Sequence, residues 1–381
     1  MASGGSAGSR RIVLVGGPYL VRSASISGPT LALTGDLNTT VSLTVIAPPN
    51  FKRVTWNGAS VRVAAGVSCR GGLVGSLDLV TLPKLTGWIF KDSLPEIDPN
   101  FDDSTWTVAN RTTTNSPLKP LYGDGRALYG CDYGFSTNHR NLVEEVDAKF
   151  MFPAGAVRAG DNVITIVQDN MGLNETRGTP DTNKSPRGVR GFALDSGSFG
   201  TWKVQGKVGG YTGCVERSSS DKTRGVLNEG GLFGERQGWH LPGFDTSSWM
   251  SRDLAAGLPG PSAGVGFFVT TFNLNIPTGI EAFMSFTFED PLGQDYRLLL
   301  WVNGWMMGKR VANLGQVPQA KFPVHQGILN FRGVNTVAVA LWSLTPTAVS
   351  PNLQLVLDGT LDGGVPGVAT NNPSWSAVGR V

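Results

Sequence analysis

The stretch that most constrains this chain is Tyr296-Arg297-Leu298-Leu299-Leu300-Trp301-Val302-Asn303-Gly304-Trp305-Met306-Met307-Gly308-Lys309, two apolar runs split by Asn-Gly. A two-residue hairpin turn needs positive φ at both central positions, which Gly adopts freely and Asn tolerates. The segment therefore predicts a strand, a tight turn and a returning strand. Downstream, Asn335-Thr336-Val337-Ala338-Val339-Ala340-Leu341-Trp342 places Val337, Val339 and Leu341 on one face of a further strand. Residues 54–61, around Asn57-Gly58, repeat the hairpin signal.

These hairpins are typical of the whole. The 51 glycines and 23 prolines punctuate short apolar runs from end to end, and amphipathic helical patterns are hard to find. An all-β chain of two or three units is expected from 381 residues. The net charge of +3 is small and its Lys and Arg are dispersed, which argues against a nucleic-acid partner. No apolar run reaches the ~18 residues of a membrane span. Cys69, Cys131 and Cys214 show no metal-type spacing, and their redox state is open on this count alone. Asn38, Asn110, Asn174 and Asn183 head glycosylation sequons in loop-like contexts, the placement a secreted protein requires. The run Ile12-Val13-Leu14-Val15 is too short for a signal-peptide core, so no signal peptide is expected in this chain.

Residues 12–66 read as a small antiparallel β-domain, with period-two alternation at 30–34 and 41–46. Beyond it the chain repeats itself. Phe101-Asp102-Asp103-Ser104-Thr105-Trp106 returns 143 residues later as Phe244-Asp245-Thr246-Ser247-Ser248-Trp249. Gly160-Asp161-Asn162, before the apolar run 163–167, is echoed by Gly333-Val334-Asn335 before the 337–341 strand. Two β-units of one kind are expected, over residues 85–195 and 200–358, with a poorly ordered tail at 359–381. The copies are unequal: Trp106 to Asn162 spans 56 positions, Trp249 to Asn335 spans 86. The first copy has no counterpart of the Asn303-Gly304 hairpin, so its sandwich is expected to lack central strands.

Several segments together resemble fungal-type β-galactosidases of glycoside hydrolase family 35. They are residues 17–24 and 31–36, Val54-Thr55-Trp56-Asn57-Gly58, Asp92-Ser93-Leu94-Pro95-Glu96-Ile97, Asp169-Asn170-Met171-Gly172-Leu173, residues 227–232, Glu235-Arg236-Gln237-Gly238-Trp239-His240 and the 301–308 hairpin. They cover nearly the whole chain in the family's order. The resemblance implies the family's C-terminal part: a small β-domain, then two jelly rolls of the galactose-binding-like type, the first incomplete here. It also implies an extracellular protein acting on terminal non-reducing β-D-galactosyl residues. Nothing in this sequence resembles the family's catalytic (β/α)₈ barrel, which carries both catalytic Glu, so no catalytic residue is assigned.

A retaining glycosidase needs two carboxyl groups about 5–5.5 Å apart. Asn228-Glu229 has the right residue types, but it opens a Gly-Gly turn and reads as a structural element. His139, His240 and His325 lie far apart without a nucleophile motif, and no metal site or cofactor is expected. Sugars can stack their CH faces on exposed rings, which makes Trp305 the first candidate for a galactoside contact, with Trp239 and Trp249 behind it. Trp56, Trp106, Trp301 and Trp342 are expected in cores. Two alternatives to an accessory region stand: a free-standing carbohydrate-binding module, and a structural fragment without a ligand.

Overall fold

The computed structural model describes residues 13–46, 52–61, 69–73, 80–109, 149–152, 154–167, 193–205, 231–260, 264–291, 294, 296–311, 319–344, 347–363 and 369–377. It is an all-β protein. The N-terminal unit holds β1 (Leu14–Gly16), β2 (Leu20–Ser27), β3 (Thr30–Asp36), β4 (Val41–Ile46), β5 (Arg53–Trp56), β6 (Ala59–Val61) and β7 (Cys69–Leu73). They form two sheets, β1-β4-β7 and β2-β3-β5-β6. Alternate residues Leu31, Leu33, Leu43, Val45, Val54 and Trp56 share one core. The pairing is antiparallel except between β3 and β5, which run parallel because the intervening β4 crosses to the other sheet. The predicted turn forms, with Asn57 at φ 47° and Gly58 at φ 85°. The Asn57 side chain also bonds both backbone groups of Gly35, accepting at 3.0 Å and donating at 2.9 Å.

The remaining elements are β8 (Ile89–Asp92), β9 (Thr107–Val108), β10 (Lys203–Val204), the single-turn helix α1 (Phe233–Arg236), β11 (Met250–Ser251), β12 (Gly264–Asn275), β13 (Ile280–Phe288), β14 (Tyr296–Val302), β15 (Trp305–Val311), β16 (Lys321–Pro323), β17 (Arg332–Ser343) and β18 (Leu353–Asp362). A six-stranded sheet, β11-β8-β12-β17-β14-β15, faces a three-stranded sheet, β16-β13-β18. Side chains from both sheets form the main core, among them Phe268, Phe272, Met284, Phe286, Leu298, Leu300, Val339, Leu341 and Phe322. The hairpin turns as its sequence predicts, with Asn303 at φ 48° and Gly304 at φ 83°.

The six-stranded sheet is buried on its other face too. Val265, Phe267, Val269, Leu299, Trp301, Ala338, Ala340 and Trp342 project there and are covered by Leu232, Trp239 and Trp249. This explains why β14 reads as an unbroken apolar run rather than an alternating one: all seven of its residues are buried. Each fully buried large side chain in these layers contributes roughly 1.5–3 kcal/mol.

Two boundaries differ from the sequence reading. Strand β8, expected in the first copy, belongs to the sheet of the second, pairing β12 and β11. Residues 359–362, expected in a loose tail, complete β18, and Leu37 and Asp362 exchange both backbone hydrogen bonds at 2.9 Å. That exchange ties the N-terminal unit to the sandwich. Residues 369–377 also pack: Trp375 donates its backbone N–H to the Pro242 carbonyl (2.8 Å) and its Nε1–H to the Gln237 carbonyl (3.1 Å).

In the first copy, described strand pairing is limited to β9 with β10. Residues 163–167, a strand by their pattern, join no sheet among the described residues. Their counterpart β17 lies between β12 and β14.

Candidate functional site

Two of the family-like segments, 92–97 and 235–240, meet in space although Glu96 and Arg236 are 140 residues apart. Strand β8 ends at Asp92, whose carboxylate accepts from the Leu94 N–H (2.9 Å) and turns the chain. The next residue, buried Ser93, accepts the Gly234 N–H on its Oγ (3.1 Å). Gly234 must be glycine here, since a Cβ would come within 2.6 Å of both the Phe267 and Trp239 rings. Arg236 donates from Nη2 to Glu96 Oε1 (2.7 Å) and from Nη1 to the Gly231 carbonyl (2.7 Å). The Arg236 and Glu96 side chains are only 5% and 7% exposed. The guanidinium also lies over the rings of Phe233 (5.5 Å) and Trp106 (5.7 Å). Glu235 accepts the Leu232 N–H (3.2 Å) and so caps α1.

Around this ion pair the aromatic rings stand edge to face. Trp239 contacts Phe233 (5.5 Å), Trp249 (5.0 Å) and Phe267 (5.7 Å), and the Lys91 ammonium sits 5.3 Å from its centre. Phe267 stacks on Trp301, which also meets the His240 ring at 5.3 Å. The two Phe-Asp-x-Ser-x-Trp hexapeptides are the same turn. Asp102 accepts from the Ser104 N–H (3.0 Å) and Asp245 from the Ser247 N–H (2.9 Å). Their Phe–Trp ring pairs lie 5.8 and 5.9 Å apart. Hydrogen bonds from Ser104 and Ser247 hold both aspartates below the usual carboxylate range. The asparagine echo matches as well. Asn162 brackets the Arg158 and Gly160 backbone, and Asn335 brackets that of Asn330 and Gly333. Asn335 then accepts from the side chain of Asn303 (2.8 Å), locking the β14–β15 turn to the start of β17.

The sequence-predicted candidates are scattered through this arrangement. Trp239 and Trp249 are 4% and 8% exposed, and their ring faces are taken by aromatic packing. Trp305 is half-buried, with its Nε1–H bonded to Asn372 Oδ1 (3.1 Å). His240 is buried in the aromatic layer, while His325 is exposed. Asn38 is exposed in the bend after β3. Asn110, Asn174, Asn183, His139, Asn228, Glu229, Cys131 and Cys214 lie outside the described residues. Missed by sequence reasoning were Arg236, Glu96, Asn372 and Trp375. No local signal flags the first pair, since Glu96 and Arg236 stand among other polar and charged residues such as Asp92, Glu235 and Gln237.

The chemistry open to this site is limited by what its carboxylates already do. Asp36 forms a bidentate pair with Arg22, Glu96 pairs with Arg236, and Glu235 caps α1. Asp290 takes Arg310 (2.6 Å), the Tyr296 hydroxyl and the Asn352 N–H (2.7 Å). Burial, followed by the hydrogen bond to Asp290, pushes the Tyr296 phenol far up. Among the described residues, no three His, Cys, Asp or Glu side chains gather as a metal site. The arrangement is that of a structural junction.

Comparison with known proteins gives this junction a context. Residues 233–347 match the model of the β-galactosidase second all-β domain, and residues 4–67 match that of β-galactosidase domain 3. These are non-catalytic β-domains of a glycosidase. The chain is similar to the C-terminal part of fungal β-galactosidases. It is 36% identical to a probable β-galactosidase C of Aspergillus niger, over 92% of this chain and 39% of the relative. A probable β-galactosidase B of the same species is 34% identical, over 96% of this chain and 40% of the relative. A probable β-galactosidase C of Penicillium rubens is 32% identical, over 87% and 37%. The chain thus spans about two fifths of the length of the curated relatives it matches.

Proposed function

We propose that this region is the accessory β-assembly of a secreted β-galactosidase, which packs against a catalytic barrel and does not itself hydrolyse the substrate. The enzyme to which it belongs would remove terminal non-reducing β-D-galactosyl residues from carbohydrates. Asn38, exposed after β3, suits the glycosylation expected of a secreted protein. One observation carries the reading: the carboxylates of Asp36, Glu96, Glu235 and Asp290 are each engaged by an arginine or a backbone N–H, and buried Glu281 also has an interaction partner. A glycosidase instead needs two facing carboxyl groups free to exchange a proton and attack a sugar carbon.

A second reading, galactoside binding on the sandwich, is favoured by Trp305, the candidate ring that packing leaves partly open. Purified chain given an aryl β-galactoside should release no aryl alcohol. Turnover that survives repurification, and co-elutes with the chain, would overturn the accessory reading. Titration with galactose separates the second reading, since saturable binding lost in Trp305→Ala would establish a sugar site.

A further inference from the structure

We propose that residues 369–377 form a strap that occupies a sugar subsite at the Asn303-Gly304 turn, and that a galactoside binds there by displacing it. The proposal rests on the reading of Trp305 as a sugar contact. The segment has no regular secondary structure and crosses from the hairpin to the layer over the six-stranded sheet. One end is fixed by Asn372, whose Oδ1 accepts the Trp305 indole N–H (3.1 Å) and whose Nδ2 donates to the Ile328 carbonyl (2.8 Å). Pro373 lies on the turn itself: a Cβ at Gly304 would come within 2.7 Å of its Cγ, with Leu241 and Pro242 beside it. The other end is fixed by Trp375. Its backbone N–H donates to the Pro242 carbonyl (2.8 Å), its Nε1–H donates to the Gln237 carbonyl (3.1 Å), and its ring meets Phe244 edge to face at 5.6 Å.

What Asn372 and Pro373 cover has the chemistry of a sugar-binding surface. The Trp305 N–H is a donor and the Ile328 carbonyl an acceptor, and both converge on one carboxamide. That carboxamide supplies an acceptor and a donor side by side, as neighbouring sugar hydroxyls do. Leu241, Pro242 and Gly304 meet the proline ring as an apolar floor meets the CH face of a pyranose. A few placed polar groups on an apolar surface are what small-ligand sites are made of, and the absence of charge from these contacts suits a neutral sugar. The surface is also held independently of the strap. Asn303 donates to the same Ile328 carbonyl (2.6 Å) and to Asn335 (2.8 Å), and accepts the Thr336 N–H (2.8 Å), so turn and carbonyl stay in place when Asn372 leaves.

The strap itself is held lightly. Residues 369–371 and Ala377 are exposed, Asn372, Pro373 and Trp375 are half-buried, and the segment joins no sheet among the described residues. Segments tied by a few point contacts open at a fraction of the global unfolding cost. Strap and sugar exclude each other, so the apparent affinity for sugar is the intrinsic affinity scaled by the open fraction. Weakening the Trp375 anchor, whose partners are Gln237, Pro242 and Phe244, raises that fraction and tightens sugar binding without altering Trp305.

Calorimetric titration of the full chain with galactose, paired with hydrogen exchange read by mass spectrometry, tests this. Galactose should bind saturably and increase exchange over residues 369–377. Trp375→Ala should lower the dissociation constant roughly tenfold. Trp375→Phe, which keeps a ring on Phe244 and loses the indole bond, should lower it roughly threefold. Trp305→Ala should abolish binding with either residue 375 background. A dissociation constant unmoved by both Trp375 substitutions, or bound galactose that leaves exchange over 369–377 unchanged, overturns the strap while leaving Trp305 as a sugar contact. No saturable binding in the wild type or in either Trp375 variant, or binding that survives Trp305→Ala, overturns the sugar contact and the competition with it.

Discussion

Replacing Arg236 with Ala removes the centre of the junction, and its effect follows from the local geometry. The substitution deletes two charge-assisted hydrogen bonds of 2.7 Å, to Glu96 Oε1 and to the Gly231 carbonyl. It also removes a cation lying over Phe233 and Trp106. What remains is worse than a gap. Glu96 is buried, and its second oxygen, Oε2, already lacks a hydrogen-bond donor. Stripping Arg236 leaves that carboxylate without compensation. Breaking a buried pair from one side costs about 3–5 kcal/mol, most of it the stranded charge. At about 2–4 °C per kcal/mol for units of this size, the melting midpoint of the sandwich should fall by roughly 6–20 °C.

A second variant separates the stranded charge from lost packing. Arg236→Met combined with Glu96→Leu replaces both charges with apolar groups of similar bulk, which is often neutral or stabilising. It should recover most of the loss. Thermal or denaturant melts followed by tryptophan fluorescence suffice as the assay, because Trp106 and Trp239 flank the site. A loss below about 1 kcal/mol for Arg236→Ala, or a double variant as unstable as the single one, would refute the reasoning.

The turn and the repeated aspartates give two further expectations. Asn303→Ala should cost roughly 2–4 kcal/mol, since it puts Cβ-bearing Ala at φ 48° without a side-chain partner and removes the acceptor of the Thr336 N–H, measurable as a denaturant midpoint shift with unchanged slope. Asp245 has a depressed folded-state pKa, set by Ser247, so its contribution is present above the ordinary carboxylate pKa and lost as pH falls through the folded value. Asp245→Asn should therefore lose less stability than wild type between neutral and strongly acidic pH; an identical acid profile in the two proteins would count against the Asx turn as the cause.

What the sequence shows and what it hides divide along the range of the interaction. The turns at Asn57-Gly58 and Asn303-Gly304 were legible because a two-residue turn is dictated by its own two residues, and both asparagines take positive φ. The repeat was legible for the same reason. An Asp two residues before a Ser makes its bond locally, and the flanking rings then meet in both copies. Burial of β12 and β14 on both faces was only half legible. Period-two alternation separates Phe268 and Phe272 from Phe267 and Val269 but does not show that the second face is covered as well, by a segment with almost no regular structure. The junction was hidden altogether, since nothing local in Pro95-Glu96-Ile97 announces a partner in Glu235-Arg236-Gln237.

Residues 163–167 fail in the opposite direction. Their local pattern is that of a strand, yet a strand is defined by its neighbours, and among the described residues no strand pairs with them. The same contrast bears on function. The family-like segments 92–97 and 235–240 join Ser93 to Gly234 and Glu96 to Arg236, and so hold the end of β8 against α1. A motif that a catalytic reading would treat as a reaction centre is here accounted for by buried charge and close glycine packing.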